Sequence, residues 1–196
     1  TAAGFYVQVS HQLGANDAAM ARSTLRQGIM SVFIVSALIG LIALAISPFL
    51  PTWLGGDSSI TPTSSAYFAV IAMALPAFQF SMFGSGMLRS SGNMIVPSVM
   101  SMVMMTLDVI FNFFLIFDTR TVDVLGMSLT LPGAGMGVVG AGIGTASAEL
   151  IAASITMYIL CFRNKELNLK IDRGRFLPTW DVVRRALHIG LPMGIQ

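Results

Sequence analysis

A chain of 196 residues that is 55% hydrophobic and 10% charged, with a mean hydropathy of +0.78, cannot cover itself with a water-soluble surface. Its net charge of +2 gives no general attraction to nucleic acid, and its single cysteine, Cys161, excludes an internal disulfide. The composition points to an integral membrane protein, an all-α polytopic helical bundle whose first partner is the lipid bilayer.

The chain opens TAAGFYVQVS, with neither an initiator Met nor a basic stretch ahead of an apolar core, so this is not a signal peptide. It reads as a piece of something longer, and it stops at LPMGIQ just as another apolar run begins. Residues 1–14 are apolar with small residues, and HQLGAND then brings polarity, which suits the end of a spanning helix. Arg22 and Arg26 follow on a short helical segment. From Ile29 to Leu50 run 22 residues without a charge, close to the roughly 20 needed to cross a hydrocarbon core. Pro48 and Pro51 close that helix, because neither has an N–H to extend the ladder. LGGDSSITP is a loop by its Gly, Ser and Pro content, and Pro62 fits the first turn of the next helix. The second full span is 66–88, with Pro76 expected to kink it rather than break it. The third is 97–117, and DTRTVDVLGMSLTLPG leads out of it as a polar loop with some apolar alternation. The fourth is 138–162.

The 24 residues from Arg163 to Ala186 hold seven basic groups: Arg163, Lys165, Lys170, Arg173, Arg175, Arg184 and Arg185. Within them TWDVVRRALHIGLP reads as a short interfacial helix with Trp180, Val183 and Leu187 on one face and Asp181 pairing with Arg185. Four spans place Arg22, Arg26, Arg89 and those seven on one side, ten of the eleven basic residues, and only Arg120 on the other. By the positive-inside rule the first side is cytoplasmic, and the expected location is the plasma (inner) membrane.

Asp108 and Glu149 are the two ionisable groups deep in the spans. Counting inward from Pro97 puts Asp108 roughly 16 Å deep at about 1.5 Å per residue, and Glu149 stands near the middle of its own helix. A charge at the centre of a spanning helix costs roughly 2.5–3.5 kcal/mol on insertion scales, so it seldom sits there without a partner or a task. Asn112, one turn beyond Asp108, is the first candidate partner. Two readings stand: a proton- or cation-coupling site, or a pair of carboxylates satisfied by neighbouring hydroxyls and amides that holds helices in register.

The run GAGMGVVGAGIG contains Gly135 to Gly140 in the literal pattern G-x-G-x-x-G. A dinucleotide site would need a preceding strand and an acid about 20 residues on, whereas this run opens an apolar helix. Gly140, Gly144 and Ala148 recur every fourth residue instead, the small face that lets membrane helices approach closely. Methionines crowd the third span at 94, 100, 102, 104 and 105. Met104 and Met105 with Gln79 are candidates for a flexible substrate-lining surface, or are lipid-facing filler and interhelical contacts. His11 and His188 lie far apart at membrane boundaries and make no metal site or catalytic dyad. No nucleophile, base and orienting group stand together, which argues against an enzyme.

Five stretches, in this order, resemble the multidrug and toxic compound extrusion (MATE) transporters. Gln12-Leu13-Gly14-Ala15-Asn16-Asp17 is similar to the "QxLGAxD" end of that family's second helix, and LRSSGNMIVP to its "LRGxGDTKxP" loop between helices four and five. LDVIFNFFLIF resembles the "NxxLNxxLIF" pattern of helix five, GAGIGTASAE the "GAAIATxxSQ" pattern of helix six, and GLPMGIQ the start of helix seven. The resemblance implies a twelve-helix exporter of two six-helix lobes, of which this chain is part of the N-terminal lobe. Residues 1–14 would end helix two, 29–50, 66–88, 97–117 and 138–162 would be helices three to six, 163–186 a cytoplasmic linker, and 187–196 the start of helix seven.

Such proteins move organic cations or other amphipathic compounds outward in exchange for Na⁺ or H⁺ and use no cofactor. The resemblance maps the cation site of some branches onto Asp108 and Asn112 on helix five and Thr145 on helix six. Glu149 stands where the pattern has an amide, and the loop lacks the usual Lys after Gly92-Asn93. The acid that many members carry on helix one lies outside this chain. Rival readings are a flippase for lipid-linked saccharides, which should show a strongly basic cavity where the spans as drawn hold no Lys or Arg, a membrane-embedded enzyme, and a non-transporting scaffold.

Overall fold

The computed structural model describes residues 2–57, 59–124, 127–171, 179, 180, 182–184, 186 and 188, with the backbone alone at 120, 122–124 and 127–131. Helix α1 (Ala2–Gly14) ends in a turn in which Asn16 takes the left-handed backbone conformation, φ 62°, that asparagine tolerates better than most residues. Asp17 then caps α2 (Ala18–Ile46), its carboxylate accepting the Met20 N–H at 3.0 Å. The helix thus begins at Ala18 and not at Ile29, where the long apolar run starts, because Arg22 and Arg26 are accommodated inside it. They are only 9% and 2% exposed, and donate to the carbonyls of Glu166 (3.1 Å) and Leu169 (3.2 Å). At the next position, Gln27 Oε1 accepts both the N–H and the O–H of Thr179, at 2.9 and 2.8 Å.

After α2, Ser47 donates to the Ser65 carbonyl at 2.7 Å, Pro48 follows, and a single turn, α3 (Leu50–Trp53), leads to α4 (Thr61–Ser90). At 30 residues α4 is about 45 Å long, more than the roughly 30 Å of hydrocarbon it has to cross. It runs unbroken through Pro76, whose missing N–H frees the Ala72 carbonyl. Gly40 of α2 packs there so closely that a Cβ would come within 3.1 Å of that carbonyl oxygen. α5 (Ile95–Ile116) and α6 (Gly137–Tyr158, continued by a π-turn over Ile159–Arg163) complete, among the described residues, four helices long and apolar enough to span a membrane.

α6 packs against both α4 and α5, which barely touch each other. Its small residues explain this placement. A Cβ on Gly140 would come 2.5 Å from the Leu115 carbonyl oxygen of α5, and one on Gly142 would come 3.0 Å from the Tyr67 ring of α4. The four-residue glycine face is therefore a packing surface, as its spacing suggests, and a second glycine serves the other neighbour. The fully buried large side chains Phe5, Leu25, Phe83, Met87, Leu160 and Leu167 gather at one end, where α1, the start of α2 and the ends of α4 and α6 converge. That end carries Arg22, Arg26, Arg89 and Arg163.

The segment read from sequence as a polar loop between the third and fourth spans is a two-stranded antiparallel ribbon, β1 (Asp118–Val124) with β2 (Met127–Ala134). Alternation in TVDV and MSLTL meets the period of a strand, and pairing the two satisfies backbone groups that a loop would leave to water. Past the ribbon and α6, residues 180, 182–184, 186 and 188 are helical, with Trp180 exposed and Ala186 buried. The expected Asp181–Arg185 pair, Arg173, Arg175, Leu187 and, His188 apart, the further span over 187–196 lie outside the described residues.

Candidate ion and substrate site

The α5–α6 contact builds a polar cluster inside the spans. Because Gly144 has no side chain, α5 comes close enough for the Asn112 Oδ1 to occupy the place a Cβ would take. One turn back on α5, Asp108 meets Thr145, whose hydroxyl donates to Asp108 Oδ1 at 2.7 Å. The hydroxyl supplies the one proton it has, so the acid is held by a neutral donor and keeps lone pairs available for a further partner. Asn112 Oδ1 is buried and accepts no hydrogen bond. An acid oxygen and a bare amide oxygen one turn apart, with a hydroxyl between the helices, are the donor types that hard cations take. The three residues that the resemblance singled out are thus brought together by the fold.

Glu149 lies one turn along α6 from Thr145, roughly 6 Å toward the basic end. The two acids are therefore not held at one level. Glu149 is 7% exposed and lines a cavity of about 430 Å³ between α4 and α5, with α6 behind it. The same cavity is lined by Gln79, Met104 and Met105, so the sequence-level substrate candidates converge on one space. Asp108, Asn112 and Thr145 do not line it. Two compartments result, a polar cluster between α5 and α6 and, one turn away, a mixed cavity walled by thioethers, an amide and a carboxylate.

Sequence reasoning missed Ser85 and Arg89, which share the cavity wall with Gln79 and Met82. Their spacing along α4 is a helical face and could have revealed them. The hydropathy run stops at Leu88 and leaves Arg89 to the loop, yet α4 continues to Ser90 and carries the guanidinium into the cavity lining. The spans drawn without Lys or Arg are corrected accordingly: α2 contains Arg22 and Arg26, and α4 contains Arg89. Among the described residues no group of three His, Cys, Asp or Glu side chains could hold a metal ion.

The fold is shared with solved transporters. A MATE protein in complex with MaD3S superimposes with a TM-score of 0.78 at 18% identity, the match covering 97% of this chain and 39% of that one. An inward-facing multidrug resistance MATE family transporter of the MOP superfamily gives 0.77 at 18% identity, covering 97% and 40%. A MOP superfamily transporter from Pyrococcus furiosus, described as having a binding pocket of reverse polarity that suggests a different function, gives 0.71 at 21% identity, covering 97% and 39%. The chain spans about two-fifths of the length of these structures. The family model MatE matches residues 1–114, more than half of the chain. Four apolar spans, their MATE-like packing and this match agree, and the chain belongs to the MatE family of membrane transporters.

Proposed function

We propose that this chain is most of the N-terminal lobe of a secondary active transporter that exports small organic cations or other amphipathic compounds in exchange for Na⁺ or H⁺. The observation that carries the proposal is the Thr145–Asp108 hydrogen bond beside the unpartnered Asn112 oxygen. A spanning carboxylate held by one hydroxyl and next to an orphan acceptor is left with coordination capacity that an ion or proton can fill. Glu149, one turn away and facing the cavity, is the second acid of the coupling machinery and links the ion cluster to the cargo space. Met104, Met105 and Gln79 supply an adaptable, mostly apolar wall for cargo of varied shape. The end bearing Arg22, Arg26, Arg89 and Arg163 faces the cytoplasm, with the chain in the plasma membrane.

A flippase for lipid-linked saccharides is the second reading, and Arg89 in the cavity lining speaks for it. The buried Glu149 in the same lining speaks against it, because an anionic pyrophosphate cargo would meet a carboxylate. The test is dye export by the full-length protein in proteoliposomes under a Na⁺ gradient and a pH gradient applied separately. Export is expected under one of the two, and export under neither overturns the antiport mechanism.

A further inference from the structure

The turn between α4 and α5 and the segment after α6 enclose a second cavity, about 530 Å³ in volume, at the basic end of the bundle. Its frame is fixed by hydrogen bonds. The Asn164 amide donates to the Ser91 hydroxyl at 2.8 Å, Asn164 Oδ1 accepts the N–H groups of Glu166 and Leu167 at 2.9 and 3.1 Å, and Leu167 is fully buried. Arg163 and Lys165 are exposed on the wall, with Glu166 the one acid there. Beside them stand Met94 and Ile95, 61% and 76% exposed, where α5 begins its span.

Two cations and two bare apolar side chains in one cavity, at the level where α4 and α6 end and α5 starts, match a ligand that joins an anion to hydrocarbon. A soluble anion would leave Met94 and Ile95 in water, and a neutral lipid would leave the two cations with Glu166 as the one acid beside them on the wall. We propose that this cavity binds the headgroup of an anionic phospholipid, Arg163 and Lys165 meeting the phosphate while Met94 and Ile95 lie along the start of the acyl chains. The proposal rests on the membrane location of the chain and is independent of what the transporter carries.

The test is lipid retention by the full-length protein after reconstitution with a mixture of phosphatidylglycerol and phosphatidylcholine, read by native mass spectrometry. Phosphatidylglycerol is expected to be retained preferentially, and Arg163→Gln and Lys165→Gln each to lower that preference roughly fivefold. Lys170→Gln is the control, because Lys170 sits over the Phe162 ring, 5.1 Å from its centroid, and not in the cavity lining. An equal loss from Lys170→Gln would mean diffuse surface charge, and unchanged retention in the Arg163/Lys165 double variant would mean no site. Displacement of the lipid by millimolar inorganic phosphate would assign the cavity to a soluble anion. Any of these three results overturns the proposal, and none depends on whether antiport is observed.

Discussion

α5 and α6 have the same length, 22 residues, and lie against each other, yet they solve opposite problems. Across the apolar window of α6 and its π-turn 39% of the residues are buried, against 6% for α5. α6 is sandwiched, and it is built from Gly140, Gly142, Gly144, Ala148, Ala152 and Ala153. α5 leaves more of its surface uncovered in this chain, and that surface carries Met102, Met105, Val109 and Ile110. Lipid gives two helices no hydrophobic reason to associate, so an inner position demands small residues that let backbones meet and an outer one only apolar bulk. The acids follow the same division. Asp108 is half-buried on the outer helix and held by a hydroxyl of the inner one, whereas Glu149 is buried on the inner helix and reaches a cavity.

That contrast can be broken at several points. Asp108→Asn should abolish ion-coupled export while thermal stability of the purified full-length protein stays unchanged, and gradient-driven export at the wild-type rate would remove Asp108 from the mechanism. Glu149→Gln should lower export less, since the cluster around Asp108 stays intact, and a larger loss than in Asp108→Asn would reverse the assignment of roles. Gly140→Ala drives a Cβ against the Leu115 carbonyl oxygen and should cost about 1–3 kcal/mol in thermal unfolding. Thr145→Val removes the donor to Asp108 and should cost about 1 kcal/mol, with a few-fold change in the ion dependence of export. Val109→Ala, at a residue of α5 that is 68% exposed, should stay within about 0.5 kcal/mol. Equal sensitivity at Gly140 and Val109 would end the distinction between inner and outer helix.

Hydropathy made the four spans legible, and the spacing of Gly140, Gly144 and Ala148 announced their packing. The helix ends were not legible in the same way. A charge stops a hydropathy window but not a helix, so α2 was begun at Ile29 although Arg22 and Arg26 sit inside it, each donating to a main-chain carbonyl far along the chain. Arg89 was lost to the loop for the same reason. The ribbon over Asp118–Ala134 is hidden in the sequence because pairing is a relation between two segments, and Asp118, Arg120 and Asp123 give the first segment the look of a loop, as Pro132 and Gly133 do the second. Asp108, Asn112 and Thr145 were singled out by resemblance, but the separation of that cluster from the cavity holding Glu149 needed the helices in place. Neither composition nor spacing says which face of α6 turns toward which neighbour.

Arg22 and Arg26 donate to the stretch after α6 at its carbonyl groups, those of residues 166 and 169. These two bonds read the course of the main chain. Inserting or deleting a single residue between Cys161 and Glu166 would pull both tethers out of register at once.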